Sequence, residues 1–129
     1  MVAVDTNILV RIYTRDDEQL YQKAMSLLSG RATGSLLLDR IILAELTYVL
    51  KSNYHYKKPI IADVLMSLCN DERFSIPDRE LTLTAVALFA AEAPLSFEDC
   101  WLLALQRTGQ VKSVATFDDA LNKRLVAST

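Results

Sequence analysis

The sequence predicts an α/β fold with a parallel sheet. Short apolar runs bounded by turn residues alternate along the chain with longer segments of helical periodicity. Strands connected through helices usually run parallel, since a helix carries the chain back to the start of the next strand. The predicted strands lie at residues 1–4, 36–38, 74–76 and 113–116.

The first predicted strand ends in an aspartate. Met1–Val4 is an apolar run, and it is followed by Asp5 and a turn at Thr6 and Asn7. Such a run is typical of a buried strand, and we expect it to be central in the sheet. Asp5 would then lie at the carboxyl end of a parallel strand, which is where ligands bind in open α/β sheets. A carboxylate there is poorly solvated unless a positive group meets it.

Helix-start residues and periodicity predict seven helices. Asp16 and Asp17 are expected to supply the cap of the second helix, and Asp39, Asp78 and Ser96 are expected to cap three others. The apolar bodies of the third and sixth helices, including Trp101–Leu105, predict that both are largely buried. The predicted helices are Ile8–Tyr13, Glu18–Leu28, Arg40–Ser52, Ile60–Cys69, Glu80–Ala91, Phe97–Arg107 and Ala120–Leu125.

Length and composition fit one domain over residues 1–129. The net charge is −2, which is not the balance of a protein that coats nucleic acid by bulk electrostatics. The two cysteines, Cys69 and Cys100, support neither a zinc site nor a disulfide framework. The chain shows no signal peptide and no apolar run of membrane-spanning length, so we expect a cytoplasmic protein without membrane contact.

Four acidic residues are candidates for one metal site. Asp5, Asp99 and Asp118 lie at strand ends or helix starts, and Glu45 lies within a largely apolar helix. Four carboxylates that converge repel one another strongly in a low dielectric, and a hard divalent cation relieves that repulsion. Oxygen-only ligands select Mg²⁺ or Mn²⁺, and such a site suits metal-assisted phosphodiester hydrolysis.

Each of these four residues, named the acidic quartet below, also has a structural explanation. Asp5 can cap the helix that follows it, and Glu45 can face solvent at the edge of its helix. Asp99 fits a capping box with Ser96, and Asp118 fits a helix start. From the residues alone, these explanations stay open.

Four blocks of the sequence carry a resemblance to a known family. Their order and spacing resemble the PIN-domain family, and within it the VapC-type toxins of bacterial and archaeal toxin–antitoxin pairs. The resemblance extends over nearly the whole chain. The blocks are Val4–Arg11, Leu43–Leu50, Phe97–Cys100 with Leu102–Leu105, and Val114–Asp118; Trp101, within the third, departs from the family's pattern, which often has a smaller residue there.

The resemblance implies a metal-dependent endoribonuclease with a Rossmann-like three-layer α/β/α sandwich around a central, mainly parallel sheet. The acidic quartet, Asp5, Glu45, Asp99 and Asp118, would be catalytic and bind Mg²⁺ or Mn²⁺. Thr6 or Asn7 would support the site by hydrogen bonds. RNA would be the substrate, a cognate antitoxin would silence the protein, and the chain would form a homodimer. The apolar fifth helix also favours a dimer, because it offers more apolar surface than one domain needs.

Several residues near the quartet have open roles. Arg11 and Arg40 are candidates for RNA contacts, since each lies near an acidic strand end. Asp118 is favoured over Asp119 as the metal ligand because it directly follows the Thr116-Phe117 pair. Asp99 is favoured over Glu98 by helix periodicity. Trp101 either reshapes the site or fills the core. His55 is expected at the surface.

Two other functions compete with the nuclease. One is a non-catalytic interaction module on the same fold, against which the intact quartet argues. The other is a phosphatase of the haloacid dehalogenase type, which also begins with an apolar strand and an aspartate. That chemistry needs a second aspartate two residues later, where this chain has Asn7.

Overall fold

A computed structural model of the chain describes residues 1–126, which contain three short strands and seven helices. The strands and helices alternate at the N-terminal end of the chain, as the sequence predicts. The elements are β1 Val2–Ala3, α1 Thr6–Thr14, α2 Glu18–Leu28, β2 Leu36–Leu37, α3 Arg40–Ser52, α4 Lys58–Cys69, β3 Phe74–Ser75, α5 Arg79–Ala91, α6 Phe97–Arg107 and α7 Asp119–Asn122.

The three strands form one parallel sheet in the order β1-β2-β3. Val2 pairs with Leu36, and Leu36 pairs with Phe74. The predicted parallel sheet is confirmed, and the architecture is consistent with an α/β sandwich. The prediction that the first strand is central and buried is wrong for the described sheet: β1 lies at its edge, and Val2 and Ala3 are exposed. A strand at an edge has a neighbour on one side only, so its side chains lose less surface.

The fourth predicted strand does not form. Residues 113–116 have no strand pairing among the described residues, and only Val114 and Thr116 are even half-buried. An apolar run becomes a strand only when a neighbour accepts its backbone hydrogen bonds. The last helix is also shorter than predicted, since α7 ends at Asn122.

Three of the four predicted helix caps are confirmed. The side chains of Asp17, Asp39 and Ser96 each accept a hydrogen bond from a backbone N–H in the first turn of α2, α3 and α6. Asp78 precedes α5 as predicted, but its side chain makes no capping bond. Its backbone is left-handed, with φ +52°, whereas a capping side chain needs an extended residue.

The prediction that α3 is largely buried is wrong, and α6 is buried less completely than predicted. Ile41 and Tyr48 of α3 are 70% and 67% exposed. In α6, Trp101, Leu102 and Leu105 are only half-buried. α3 packs through one face, so apolar residues on its opposite face stay in solvent, whereas every apolar residue of α6 is buried or half-buried.

Two compact units divide the chain, and each has its own core. In the first unit, Met1–Pro77, α1 packs against α2 and α3, and α3 packs against α4. In the second, which begins at Asp78, α5 packs on α6 through residues that include Phe89 and Phe97, whose rings lie 6.4 Å apart. The prediction of one domain over residues 1–129 stays a prediction. Among the described residues, no helix has the length and apolar character needed to cross a membrane.

Candidate active site

Thr6 and Glu45 form the first contact of the candidate site. Thr6 begins α1 three residues after the end of β1, and Glu45 lies in the middle of α3. The Thr6 hydroxyl donates a hydrogen bond to Oε2 of Glu45 over 3.0 Å. Thr6 is 1% exposed, whereas Glu45 is exposed, so a buried residue holds one oxygen of a solvent-facing carboxylate. Glu45 is thereby fixed beside the chain segment that follows the first strand.

Asp5 occupies the N-cap position of α1 without acting as a side-chain cap. Its backbone is extended, with φ −80° and ψ 151°, but its carboxylate accepts no capping hydrogen bond. The residue is exposed, and its carboxylate has no hydrogen-bond partner among the described residues. The alternative that Asp5 serves as a helix cap is therefore wrong. The carboxylate is available to a ligand at the carboxyl end of β1.

The carboxylate oxygens of Asp5 and Glu45, in the first unit, are suitable ligands for a hard divalent cation. Glu45 keeps one carboxylate oxygen without a hydrogen bond from the described residues, and Asp5 keeps both. Mg²⁺ and Mn²⁺ prefer carboxylate oxygens and are usually bound through one or two of them together with water and substrate. Asp5 and Glu45 therefore offer the correct chemistry for such an ion.

Asp99 lies in the first turn of α6, within the second unit. Its backbone N–H donates to the Ser96 hydroxyl over 3.1 Å, which is half of the predicted capping box. The reverse bond, from the Ser96 N–H to the Asp99 carboxylate, is not formed among residues 1–126. Asp99 is half-buried, and Glu98 beside it is exposed. Trp101 packs against the Phe97 ring, with 6.5 Å between centroids, so it contributes to the packing of its own helix.

Asp118 is the cap of α7. Its carboxylate accepts a hydrogen bond of 2.7 Å from the Leu121 N–H, and its own N–H donates to the Thr116 hydroxyl. Asp119 is the first residue of the helix. Asp118 thus has a structural role that does not depend on a metal. One of its carboxylate oxygens already accepts a hydrogen bond from a backbone N–H.

The structure brings part of the predicted site together. Thr6 and Glu45 are in contact, and Asp5 adjoins Thr6 in sequence. Over residues 1–126, no group of three or more His, Cys, Asp or Glu side chains is arranged so that it could hold a metal ion. Convergence of the acidic quartet on one metal stays a prediction.

The predicted supporting and RNA-contacting residues differ in their surroundings. Asn7 is exposed and directly follows Thr6. Arg11 donates from one guanidinium nitrogen to both oxygens of Asp16, over 2.9 Å each, so its charge is compensated within the chain. Arg40 is the exposed first residue of α3. The RNA contacts of Arg11 and Arg40 stay predictions.

Asp16 is the centre of a polar cluster that ties two loops of the first unit together. It accepts hydrogen bonds from the Tyr54 hydroxyl at 2.6 Å, from Arg11 and from the Thr14 hydroxyl. The Tyr54 and Arg11 bonds lower the pKa of Asp16 to about 2. These hydrogen bonds connect the loop after α3 to the end of α1. The first residue of α1, Thr6, is the one that donates a hydrogen bond to Glu45.

Two side chains beside the quartet were not identified from the sequence. Tyr48 lies three residues after Glu45 on α3, and Phe117 directly precedes Asp118; both are exposed. Helical spacing was a usable signal for Tyr48, since residues three apart share a face. No signal predicted the exposure of Phe117, because it was expected only to open the last helix together with Asp118 and Asp119.

Comparison with known families identifies the fold and its general chemistry. The model of the PIN domain family matches residues 2–124, so the chain belongs to the PIN domain family. PIN domains are generally metal-dependent nucleases and generally use divalent metal ions. A search of curated proteins and a search of solved structures each returned no match.

Proposed function

We propose that this PIN domain is a Mg²⁺- or Mn²⁺-dependent endoribonuclease that acts as a VapC-type toxin. The observation that carries the proposal is the Thr6–Glu45 hydrogen bond next to an Asp5 carboxylate that caps nothing. A helix-start aspartate that leaves its capping bond unmade loses stability at that position, which is understandable if the carboxylate serves a ligand. The family supplies the general chemistry of that ligand, a divalent metal ion.

The residues of the chain have separate roles in this proposal. Asp5 and Glu45 hold the metal from the first unit, and Asp99 and Asp118 are the other two catalytic acids. A bound divalent ion supplies a water of lowered pKa and polarises the phosphate. Thr6 fixes the Glu45 carboxylate before the ion arrives, so less freedom is lost on binding. Asp118 is fixed in the same way by the Leu121 N–H.

The proposed partners are RNA, a cognate antitoxin protein and a second copy of the chain. The apolar surplus expected on α5 is not observed: its Leu, Val and Phe side chains are buried or half-buried. Exposed apolar side chains lie on α2 instead, at Leu20, Met25 and Leu27. They offer a surface on which a homodimer can form. Light scattering at micromolar concentration tests the dimer, and a monomer contradicts it.

Cleavage of RNA under metal control tests the proposed function. Purified protein should cut RNA with Mg²⁺ or Mn²⁺ and stop when a chelator is added. Glu45→Gln keeps an oxygen for the Thr6 hydroxyl but removes one charge, and it should abolish cleavage. The matched control is Asp63→Asn, which neutralises an exposed acid on α4 and should cut at the wild-type rate. A wild-type protein that binds RNA without cutting it with either metal supports the interaction module instead.

A further inference from the structure

The side chain of Gln106, on α6, bonds to the backbone on both sides of Asp118. Its Nε2 donates to the Lys112 carbonyl over 3.1 Å and to the Val126 carbonyl over 2.8 Å. Its Oε1 accepts a hydrogen bond of 2.8 Å from the Val126 N–H. Asp118 lies between Lys112 and Val126 in the sequence, so one side chain holds both ends of residues 112–126, named the Asp118 segment below.

The amide of Gln106 serves the Asp118 segment rather than its own helix. A primary amide has two N–H donors and one acceptor oxygen, and here both donors and the oxygen bond to the segment. The end of α6 is completed without them, because the Thr108 N–H bonds to the carbonyls of Ala104 and Gln106. Gln106 is half-buried, which limits the competition of water for these bonds.

The turn around Asp118 is ordered by its own hydrogen bonds. The Asp118 N–H donates to the Thr116 hydroxyl, and the Asp118 carboxylate accepts from the Leu121 N–H. Asn122 donates from Nδ2 to the Thr116 carbonyl over 3.0 Å, which closes the turn against α7. These bonds fix the shape of the turn, but they do not fix its position relative to α6.

Other contacts hold the segment at points after Asp118. Leu121 is fully buried, and Arg124 donates from Nε to Oε2 of Glu92, the C-cap of α5, over 2.6 Å. Both act on α7 or on the chain beyond it. The bond from Gln106 to the Lys112 carbonyl acts on the chain before Asp118, so Gln106 restrains the segment from the side that these contacts leave out.

The same helix carries another acid of the quartet. Asp99 lies in the first turn of α6, and Gln106 follows seven residues later, which is close to two full turns. The two residues therefore lie on one side of the helix. All of these residues belong to the second unit. A helix is stiff over this length, so a side chain that holds the Asp118 segment to α6 also relates Asp118 to Asp99.

We propose that Gln106 is a positioning residue that fixes the Asp118 carboxylate relative to Asp99. The inference rests on the metal-dependent nuclease proposed above, and it adds to that function a residue outside the acidic quartet. A carboxylate that is already in place when an ion arrives loses less freedom on binding. Outer contacts that orient metal ligands are correspondingly important, and their loss weakens metal binding or activity by roughly 10-fold or more.

The affinity for Mn²⁺ tests the proposal without relying on cleavage, and the paramagnetic resonance signal of the free ion measures it. Gln106→Met keeps the length of the side chain and removes its hydrogen bonds, so it should weaken Mn²⁺ binding about 10-fold. Asp118→Asn should also weaken binding. Adding Gln106→Met to Asp118→Asn should weaken it no further, because the carboxylate through which Gln106 acts has been removed.

Two further measurements separate positioning from a loss of overall stability. At saturating Mn²⁺, Gln106→Met should lower kcat and leave the KM for RNA unchanged, because a misplaced acid affects the chemical step. Hydrogen exchange followed by NMR should show faster exchange of the Leu121 N–H, which Asp118 accepts, while the buried helix α5 keeps its protection.

Thr108→Val is the matched control. It removes the bond from the Thr108 hydroxyl to the Ala104 carbonyl at the same end of α6, and that bond does not reach the Asp118 segment. Its Mn²⁺ affinity and kcat should equal those of the wild type. Gln106→Glu is the second variant if Gln106→Met does not fold: it keeps the acceptor for the Val126 N–H, loses the donor to the Lys112 carbonyl, and should also weaken Mn²⁺ binding.

Defined results overturn the proposal. Folded Gln106 variants that bind Mn²⁺ as tightly as the wild type overturn it, and so does a further loss of affinity when Gln106→Met is added to Asp118→Asn. A loss of affinity in Thr108→Val equal to that in Gln106→Met assigns the effect to the end of α6 and also overturns it.

The wild-type protein keeps this inference separate from the proposed function. If the wild type cuts RNA with metal and Gln106→Met does so equally well, the positioning inference fails and the nuclease stands. If the wild type neither binds Mn²⁺ nor cuts RNA, the proposed function fails. Hydrogen exchange at Leu121 then still decides whether Gln106 fixes Asp118: faster exchange in Gln106→Met supports that contact, and unchanged exchange overturns it.

Discussion

The hydroxyl of Thr6 donates a hydrogen bond to Oε2 of Glu45 over 3.0 Å, although the two residues are 39 positions apart in the sequence. Thr6 comes directly after the Asp5 carboxylate, so one buried threonine links the segment that follows β1 to the acidic residue of α3. The contact gives Glu45 a fixed orientation although the residue itself faces solvent.

Replacing Thr6 tests whether this contact serves catalysis. Thr6→Val keeps the buried shape and removes the hydroxyl, so Glu45 loses its donor but still has water. We expect metal affinity and RNA cleavage to fall by about 10-fold or more. Thr6→Ser keeps the donor and should retain most of the activity. Metal titration followed by a cleavage assay measures both, and equal activity in the Val variant and the wild type contradicts the role of Thr6.

Asp118 and Asp119 form a natural pair of variants. Asp118→Asn keeps the cap on the Leu121 N–H, because Asn caps as well as Asp, but it removes a charge from the quartet. It should melt as the wild type does and lose cleavage. Asp119→Asn should leave both unchanged. Asp118→Ala should also lose about 1 kcal/mol of unfolding free energy with the cap. If Asp119→Asn loses cleavage and Asp118→Asn keeps it, Asp119 rather than Asp118 is the catalytic acid.

The hydrogen bonds of Asp16 should make part of the free energy of unfolding sensitive to acid. Hydrogen bonds from Tyr54 and Arg11 lower its pKa from 3.8 to about 2. Because the pKa of Asp16 is lower in the folded state than in the unfolded state, its carboxylate stabilises the fold at pH values above the unfolded-state pKa. That stabilisation is lost as the pH falls towards 2. Asp16→Asn should therefore melt below the wild type at neutral pH, and the difference should shrink below pH 3.8. A difference that is constant between neutral pH and pH 2 contradicts the cluster.

His55 has a left-handed backbone, with φ +57°. It follows α3 in a turn in which the His55 N–H bonds to the Lys51 carbonyl and the Tyr56 N–H to the Leu50 carbonyl. Glycine adopts this conformation without the clash of a Cβ, so His55→Gly should raise the unfolding free energy by about 1 kcal/mol. Asn53→Gly, at a residue with φ −94°, is the control and should lower it. Chemical denaturation measures both, and a less stable His55→Gly contradicts the assignment of strain.

The helices were largely predictable because their signals are local. Asp17, Asp39 and Ser96 cap the helices they precede, and a cap needs only residues within one turn. The segment 113–116 was not predictable in the same way, because a strand depends on a neighbour distant in sequence. The exposure of Ile41 and Tyr48 was missed for a related reason: which face of an apolar helix is buried depends on the helices around it.

The candidate site was predictable in its residue types but not in its contacts. Asp5 and Glu45 stand out in the sequence as carboxylates in apolar surroundings. The bond between Thr6 and Glu45 joins two elements, and no local pattern encodes which oxygen a threonine will hold. Whether Asp5 caps α1 was likewise open, because capping and metal-binding aspartates occupy the same position in sequence.

Asp5→Asn is the most direct test of the claim that this PIN domain is a metal-dependent nuclease. Because the Asp5 carboxylate makes no capping bond, the substitution should leave the metal-free melting temperature unchanged or slightly higher. The loss of one ligand charge should weaken Mg²⁺ binding and abolish cleavage of RNA. One thermal melt and one cleavage assay on the same preparation decide the matter: we predict a folded, inactive protein, and an Asp5→Asn protein that cuts RNA at the wild-type rate contradicts the mechanism.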